Sequence, residues 1–555
     1  RRLLSAATAA LAALLWASDP FLIGHSRILH VDALAGTFLT LSLLAACVYW
    51  HHIRKPVYLA LSSVCAALAI LSKSPALAII PVIGVIALAA TWRARQRDVE
   101  ADRRVGPVAF IGPLVIWGAL CVVTIVALWP AIWVDPLHVY DSLQRGVEVE
   151  GSNPHDRGNF FLGKKDDAPG PLFYPVAIVM RLTPWTLLGL LLLPLAYACA
   201  PRRTRRDLAS IAGFVVLFTV ALSIFPKKFN RYLVPAFPLV DVLAAIGLVA
   251  LAGVMIALVE RWVHGSQAQR IRNGLGAALF GGIAIATTAN AAHWHPYSIA
   301  AFNQLFGGAR GGAETFLIGW GEGMEQVAAW LNEQPNITGV QTASPLVPTL
   351  QPYLRRGAQA DTPRGDTLPP EVGYVVVYAR QVQDKQPSPP FDQFYGKAQP
   401  LHTVRIHGVE YAWIYQAPPP VAQQRVATFG DELTLRGYTP RNEAQPGQNL
   451  ILNLSWQVLN KPAADYTLFA HLIGPDGQRY AQVDLPYPTS AWGERPYLET
   501  ELPLAIPADI PPGRYQLFVG LYNPADGGRL PLKTDEPLNP AISGPEALLL
   551  MNIEI

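Results

Sequence analysis

The sequence predicts a polytopic α-helical membrane domain followed by an extracytoplasmic α/β module and a C-terminal antiparallel β-sandwich, and three observations lead there. Hydrophobic residues make up 51% of the 555 positions and charged residues only 15%, a balance foreign to most soluble proteins. The long apolar runs lie almost entirely before residue 295. Beyond that point short runs alternate polar with apolar residues and are punctuated by Pro and Gly.

A membrane-crossing helix needs roughly 17 to 25 mostly apolar residues, because lipid satisfies no backbone group and each residue rises only ~1.5 Å. Runs that meet this lie at about 3 to 24, 33 to 50, 57 to 72, 75 to 91, 107 to 129, 183 to 200, 208 to 225, 237 to 259 and 274 to 293, which gives nine expected crossings. Basic residues in short loops mark the cytoplasmic side. They occur at Arg1 and Arg2, Arg54 and Lys55, across Arg93 to Arg104, across Arg202 to Arg206, and at Arg261, Arg270 and Arg272, in every second loop. Alternation therefore places residues 24 to 32, 72 to 75, 130 to 182, 226 to 236 and everything after 294 outside, the hairpin at 72 to 75 being turned by Pro75. The expected setting is a multi-pass protein of the plasma (inner) membrane with extracytoplasmic C-terminal domains: residues 1–294 as the membrane domain, 295–420 as the α/β module and 421–555 as the sandwich.

Net charge excludes one class of partner. At +3, with basic residues dispersed between apolar runs, no basic face offers itself to nucleic acid. The four cysteines (Cys47, Cys65, Cys121, Cys199) all sit in apolar runs, where thiols serve as packing residues, and the soluble half has no disulfide framework. The chain opens on Arg1 without a recognisable signal peptide, and its N-terminus is read as truncated.

Candidate functional residues come from charges that the membrane makes costly. Lys227, Lys228 and Arg231, in Phe225-Pro226-Lys227-Lys228-Phe229-Asn230-Arg231-Tyr232, stand in a loop that the alternation puts outside, against the positive-inside rule. A ligand explains them better than topology does. Lys73 is the one charge between Lys55 and Arg93, its bland reading being a side chain that snorkels to the headgroups. Arg27 and Asp32 flank another outer turn. They either pair with each other, or Arg27 takes a phosphate oxygen bidentately while Asp32 orients an acceptor or a metal. Cations converging at the outer membrane surface point to a lipid-linked phosphate, with Arg27, Lys73, Lys227, Lys228, Arg231 and Tyr232 as its binding group.

The long outer loop has helical spacing over 136 to 149, as expected of a helix lying on the membrane surface, and re-enters the bilayer boundary at 170 to 175. Its Glu150, His155, Asp156 and Asn159 form a candidate acceptor loop, although polar residues this sparse give no metal-site spacing. Gly319-Trp320-Gly321-Glu322-Gly323 lacks the Lys-Ser/Thr ending of a nucleotide loop and reads as a turn before a helix at about 324 to 334. Strands are expected at 338 to 343, 372 to 379 and 401 to 416, with a turn at His407-Gly408. After a stiff Pro418-Pro419-Pro420 linker they continue at 433 to 438, 449 to 458, 466 to 473, 479 to 485, 500 to 506 and 514 to 522. Trp456, Tyr466, Trp492, Tyr497 and Tyr522 are either sandwich core or a platform for stacking sugars.

Five segments carry a family resemblance: Ser26-Arg27 to Asp32-Ala33-Leu34, Leu71-Ser72-Lys73-Ser74-Pro75, Asn159-Phe160-Phe161-Leu162-Gly163, Thr183-Pro184-Trp185 to Gly189, and Lys227 to Pro235. In this order they resemble the bacterial branch of glycosyltransferase family 39, membrane enzymes of the GT-C type similar to protein O-mannosyltransferases and the aminoarabinose transferase of lipid A. The resemblance spans about residues 1 to 325. It implies an inverting, metal- or cation-assisted transfer of a hexosyl or pentosyl group from a polyprenyl-phosphate sugar to an extracytoplasmic glycan, lipid or protein. A divalent metal is the cofactor to consider, with no ligand set assigned. Asp32 matches a secondary family acid; the principal acid of the family has no counterpart in this chain. Two other classes remain open, a cell-wall glycan-binding scaffold and a transporter, the latter disfavoured by charges gathered at the surface rather than at mid-membrane.

Overall fold

The computed structural model describes residues 3–28, 30–100, 108–154, 158–263, 266–364, 368–369, 371–383, 387–417, 421–494, 497–534 and 546–555. The chain divides into two compact units. Arg1–Glu322, with the short segments Gln383–Lys385 and Ile406–Val409, form the first, and the remainder forms the second.

The first unit is helical. Ser5 caps α1 (Ala6–Ser18), its Oγ accepting from Thr8 N at 3.1 Å. The run then breaks at Asp19-Pro20, and α2 (Pro20–Arg27) leaves at 57°. α3 (Asp32–Cys47) ends in a π-helical turn over Val48–His52 and doubles back as α4 (Pro56–Ser72). A 3-10 turn at Ser74–Ala78 leads into α5 (Ile79–Glu100), followed by α6 (Val108–Leu128), the short α7 (Ala131–Val134) and α8 (Pro136–Ser152). After the small ribbon of β1 (Phe160–Phe161) and β2 (Lys164–Lys165) come α9 (Phe173–Arg181), α10 (Pro184–Leu191), α11 (Leu193–Cys199), α12 (Arg202–Ile224), α13 (Phe237–Glu260) and α14 (Ser266–Trp294).

Among the described residues six helices are long and apolar enough to cross a membrane, or up to eight if each of two bent pairs is one span, and α4 is a shorter apolar helix. This is a multi-pass membrane protein. The straight crossing expected over 183 to 200 is not found. Leu182 and Thr183 take extended backbone before Pro184, as residues ahead of proline do, so α10 turns from α9 by 117°. A second break at Leu192 precedes α11.

Residues 295–322 stay with the helices. A turn at Ser298–Ala300 lies against α2, where a Cβ on Gly24 would meet the Ile299 backbone. Asn303 ties this segment to the end of α9 by donating its backbone N–H to Met180 O (2.7 Å) and its side-chain N–H to Val179 O (3.2 Å). α15 (Gly308–Thr315) follows, and Phe316 packs among Phe161, Phe173 and Phe302.

In the second unit α16 (Met324–Asn332) starts from Gly323, whose left-handed φ of 82° suits glycine. β3 (Gln341–Ala343), β4 (Gln359–Asp361), β5 (Val372–Tyr378), β6 (His402–Ile406) and β7 (Val409–Gln416) form a mixed sheet in the order β4-β3-β5-β7-β6. β3 is parallel to both neighbours and β5–β7 is antiparallel. His407 (φ 47°) and Gly408 (φ 80°) make the expected turn between β6 and β7.

The sandwich follows with β8 (Gln423–Phe429), β9 (Leu433–Pro440), β10 (Asn449–Val458), β11 (Thr467–Ile473), β12 (Arg479–Pro486), β13 (Tyr497–Ala505), β14 (Arg514–Tyr522), β15 (Leu532–Lys533) and β16 (Leu548–Glu554). Its two sheets, β13-β10-β9-β8-β15 and β12-β11-β14-β16, share one core of inward residues, among them Leu435, Leu452, Leu468, Leu517 and Leu550. The sugar platform is overturned for three of its aromatics, because Trp456, Tyr466 and Trp492 belong to that core. Tyr522 is partly buried, and the Tyr497 side chain lies outside the described residues.

α10 and α13 approach so closely that only glycine fits at the crossing. A Cβ on Gly247 would run into the Gly189 carbonyl, and one on Gly189 into the Ala244 backbone. Gly247→Val is expected to destabilise the helical unit by about 1 to 3 kcal/mol, the usual overpacking cost, or more if the helices separate. Thermal unfolding in detergent checks this, with Gly253→Val, where the added Cβ meets open space, expected to unfold like wild type.

Candidate active site

The site grows from the α3–α4 hairpin. Antiparallel packing holds the pair together further along, where Ser42 Oγ donates to Ser62 O at 2.8 Å. It also sets the first residue of α3, Asp32, against the residue just past α4, Lys73. Asp32 is fully buried, and the Lys73 ammonium donates to its Oδ1. The pairing with Arg27 that the sequence allows is therefore not the one formed. Arg27 is exposed at the end of α2 and donates through Nη1 to Pro296 O (3.1 Å).

Arg231 enters from the 3-10 turn Asn230–Ala236 that precedes α13. Its Nη1 lies 3.1 Å from His30 Nε2, and its Nε is buried with no hydrogen-bond partner among the described residues. A guanidinium only donates, so His30 Nε2 is the acceptor in that contact. On the other side of the ring, Nδ1 lies 3.4 Å from the Asp32 backbone N–H, which donates to it, and 3.0 Å from Asp32 Oδ2. Aromatic faces complete the wall. The Lys73 ammonium stands 4.6 Å from the Tyr232 ring centre, and the Arg231 guanidinium 5.6 Å from Tyr232 and 4.7 Å from Trp320. Two cations thus share one tyrosine, with a single fully buried carboxylate between the elements that hold them.

The remaining predicted residues occupy other positions. Lys228 is buried with its Nζ 2.5 Å from Phe225 O, and Lys227 is half-buried beside it. Asn159 is buried and serves as a clamp. It donates to Lys228 O (2.6 Å) and accepts from Phe160 N (2.8 Å), which fixes the Lys227–Arg231 loop to the β1 ribbon. Glu150 lies on α8 with its side chain outside the described residues, and His155 and Asp156 lie outside them altogether.

Sequence reasoning passed over Trp320 and a second polar group inside the helical unit. Asp19, the cap of α2, accepts from Leu22 N (3.0 Å), and Asp241 of α13 accepts from Thr186 Oγ1 (3.2 Å). Both are fully buried, and among the described residues the second oxygen of each has no hydrogen-bond partner. Arg181 donates to Ile299 O (3.0 Å) and Ala301 O (2.6 Å) while its guanidinium covers the Phe302 ring at 3.6 Å. Each of the three is an isolated charge in an apolar run, which was the available signal.

A divalent metal does not fit the Asp32 end on these residues. Among the described residues, the one set of three His, Cys, Asp or Glu ligand atoms close enough to share an ion is Cys47, His51 and Asp207, and it lies beyond the other end of α3.

Burial holds His30 below the ordinary histidine value of 6.5, the Asp32 carboxylate pulling it back up and Arg231 and Lys73 pushing it further down. The sign follows from linkage: a folded-state value below the unfolded one leaves the neutral ring stabilising above pH 6.5, and the contribution is lost as pH falls below that point. The thermal stability of wild type in detergent should therefore drop below pH 6.5 more steeply than that of His30→Asn, as parallel melts across pH 5 to 8 would read.

Comparison with known proteins places part of this chain. Residues 1–128 match the model of a family described as dolichyl-phosphate-mannose-protein mannosyltransferase. None of the curated proteins matches the chain. Two solved structures are similar to it, both of ArnT from Cupriavidus metallidurans. The apo form has 14% identity and a TM-score of 0.35, covering 74% of this chain and 78% of that one. The form bound to undecaprenyl phosphate has 14% identity and a TM-score of 0.33, covering 74% and 79%. The matched segment supplies α1 to α6, and with them Asp32 and Lys73 and the first two of the five motifs.

Proposed function

We propose that the protein transfers a sugar, with inversion, from a polyprenyl-phosphate donor to an extracytoplasmic glycan, lipid or protein. The observation that carries this reading is the convergence of Lys73 and Arg231 on Tyr232, with Asp32 buried behind Lys73. Two cations against one carboxylate leave the site net positive, and a phosphate monoester or diester is the anion suited to a point-charge ammonium beside a planar guanidinium.

In the reaction, an acceptor oxygen forms a bond to the anomeric carbon as the bond from that carbon to the phosphate oxygen breaks. The acceptor proton passes to a carboxylate base, and the electron pair leaves with the polyprenyl phosphate. Negative charge grows on that phosphate, where Lys73 and Arg231 are already oriented to receive it. Asp32 acts on Lys73, holding the ammonium at the site and offsetting part of its desolvation, which pushes the amine below the ordinary lysine value.

The sidedness proposed is that of a plasma (inner) membrane protein with the Asp32 end and the C-terminal domains outside. Its support is the basic loops at Arg54-Lys55 and Arg202 to Arg206, which sit at the opposite ends of α3, α4 and α12. The scaffold alternative loses its main attraction, since three of its five aromatics are core.

Transfer of labelled sugar from a panel of polyprenyl-phosphate sugars to membrane acceptors tests the reading. Lys73→Ala and Arg231→Ala are each expected to lower transfer by about 10²- to 10³-fold, the usual effect of deleting a group that stabilises transition-state charge. Arg231→Lys should recover only part of it, for lack of the planar fork. Wild-type rates in both alanine variants, with folding intact, would overturn the assignment.

A further inference from the structure

Beyond the far end of α3 stands a cluster that the proposed transfer does not use. Asp207, on the first turns of α12, is fully buried, and its two oxygens are 2.7 Å from His51 Nδ1 and 2.7 Å from His52 Nε2. Cys47 is fully buried beside them, and the ligand atoms of Cys47, His51 and Asp207 all lie within 4.8 Å of one another. We propose that Cys47, His51 and Asp207 form a zinc site that pins α3 to α12, with His52 as the residue that positions Asp207.

Local backbone geometry builds the donor set. Cys47 and His51 are four residues apart, the spacing that puts two ligands on one helical face. From Val48 to His52 the helix widens into a π turn, closed by Ile53 N to Val48 O at 2.9 Å. Successive residues of a regular α-helix point about 100° apart, too far for both imidazoles to reach one carboxylate easily. The wider turn, and the use of Nδ1 by one ring and Nε2 by the other, brings both to Asp207. Such turns recur at functional sites because they re-aim side chains at a cost to regular hydrogen bonding.

Charge balance selects the ion. A fully buried carboxylate needs compensation, and neutral imidazoles supply hydrogen bonds but no charge. A divalent cation held by one thiolate, one carboxylate and one neutral imidazole is neutral overall. Sulfur, nitrogen and oxygen donors together suit zinc, whose bonds of ~2.0 to 2.3 Å need only small side-chain adjustments from the present spacing. On binding, the Cys47 thiol releases its proton, His51 exchanges the proton on Nδ1 for one on Nε2, and the His51–Asp207 hydrogen bond gives way to two metal bonds. His52 keeps its bond to the other Asp207 oxygen and so sets the carboxylate's orientation. The fourth position is left to water.

The full chain, purified in detergent, loaded with Zn2+ and dialysed against metal-free buffer, should retain about one zinc per chain by elemental analysis. Cys47→Ser and Asp207→Asn should lose it, His52→Ala should weaken it by ~10- to 100-fold, and Cys65→Ser, a buried thiol on α4, should keep it. Cobalt substitution should give a near-ultraviolet thiolate-to-cobalt band that is absent from Cys47→Ser and kept in Cys65→Ser. Folded, monodisperse wild type that retains no stoichiometric zinc and shows no cobalt band would overturn the proposal and leave an imidazole–carboxylate cluster only. The wild-type spectrum decides this even where a variant fails to fold.

Discussion

The Asp32 carboxylate has no solvent exposure, and an unpaired charge so placed would cost several kcal/mol; the Lys73 ammonium makes the position tenable. That ion pair closes the open end of the α3–α4 hairpin, and much of the helical unit is arranged around it. His30 sits over it, Arg231 bonds His30, and Tyr232 lies under both cations. The turn that brings Arg231 is itself anchored by Asn159 through Lys228. A pair formed for electrostatic reasons thus leaves the ammonium part-exposed and beside a second cation, which is the arrangement an anionic ligand requires.

The same constraint recurs deeper in the unit. Asp19, Asp241 and Arg181 are each expensive in an apolar surrounding, and each draws on neighbouring groups for hydrogen bonds: a helix N-terminus, the Thr186 hydroxyl and the carbonyls of residues 299 and 301. The Asp19 bond is local to the start of α2, whereas the other two sets join elements far apart in sequence. They tie α10 to α13 and the end of α9 to the 298–302 segment, where apolar packing alone would tolerate sliding. At the other end of α3, Asp207 plays the corresponding part between α3 and α12. Polar groups in this unit therefore act as pins between helices whose apolar surfaces are interchangeable.

Much of this was legible in the sequence, for reasons that differ by element. Apolar runs and basic loops could be read because lipid enforces them on every helix separately. Lys73 stood out because no other charge shares its run, and Arg231 because its loop violates the positive-inside pattern. The partner of Asp32 could not be read, since Arg27 is closer in sequence and only the antiparallel register of α3 and α4 favours Lys73. Trp320 lay in a glycine turn that resembled punctuation, and its place beside Arg231 depends on the path of residues 295–322 over the helices. Asn159 carried a polar label suited to an acceptor loop, whereas burial made it a clamp. In the sandwich, β8, the two-residue β15 and β16 escaped notice: β8 is mostly polar and follows a proline run, and β16 opens on four consecutive apolar residues, so neither shows clean alternation.

The central claim is that one buried pair both stabilises the helical unit and presents the phosphate-binding cation. A double-mutant cycle of Asp32→Asn and Lys73→Met, read by thermal stability and by polyprenyl-phosphate affinity on the same preparations, tests it most directly. The account predicts that each single change costs about 3 to 5 kcal/mol, that the double change costs less than the sum, and that affinity collapses wherever Lys73 is absent. Additive stability losses, together with unaltered lipid-phosphate affinity in Lys73→Met, would contradict it.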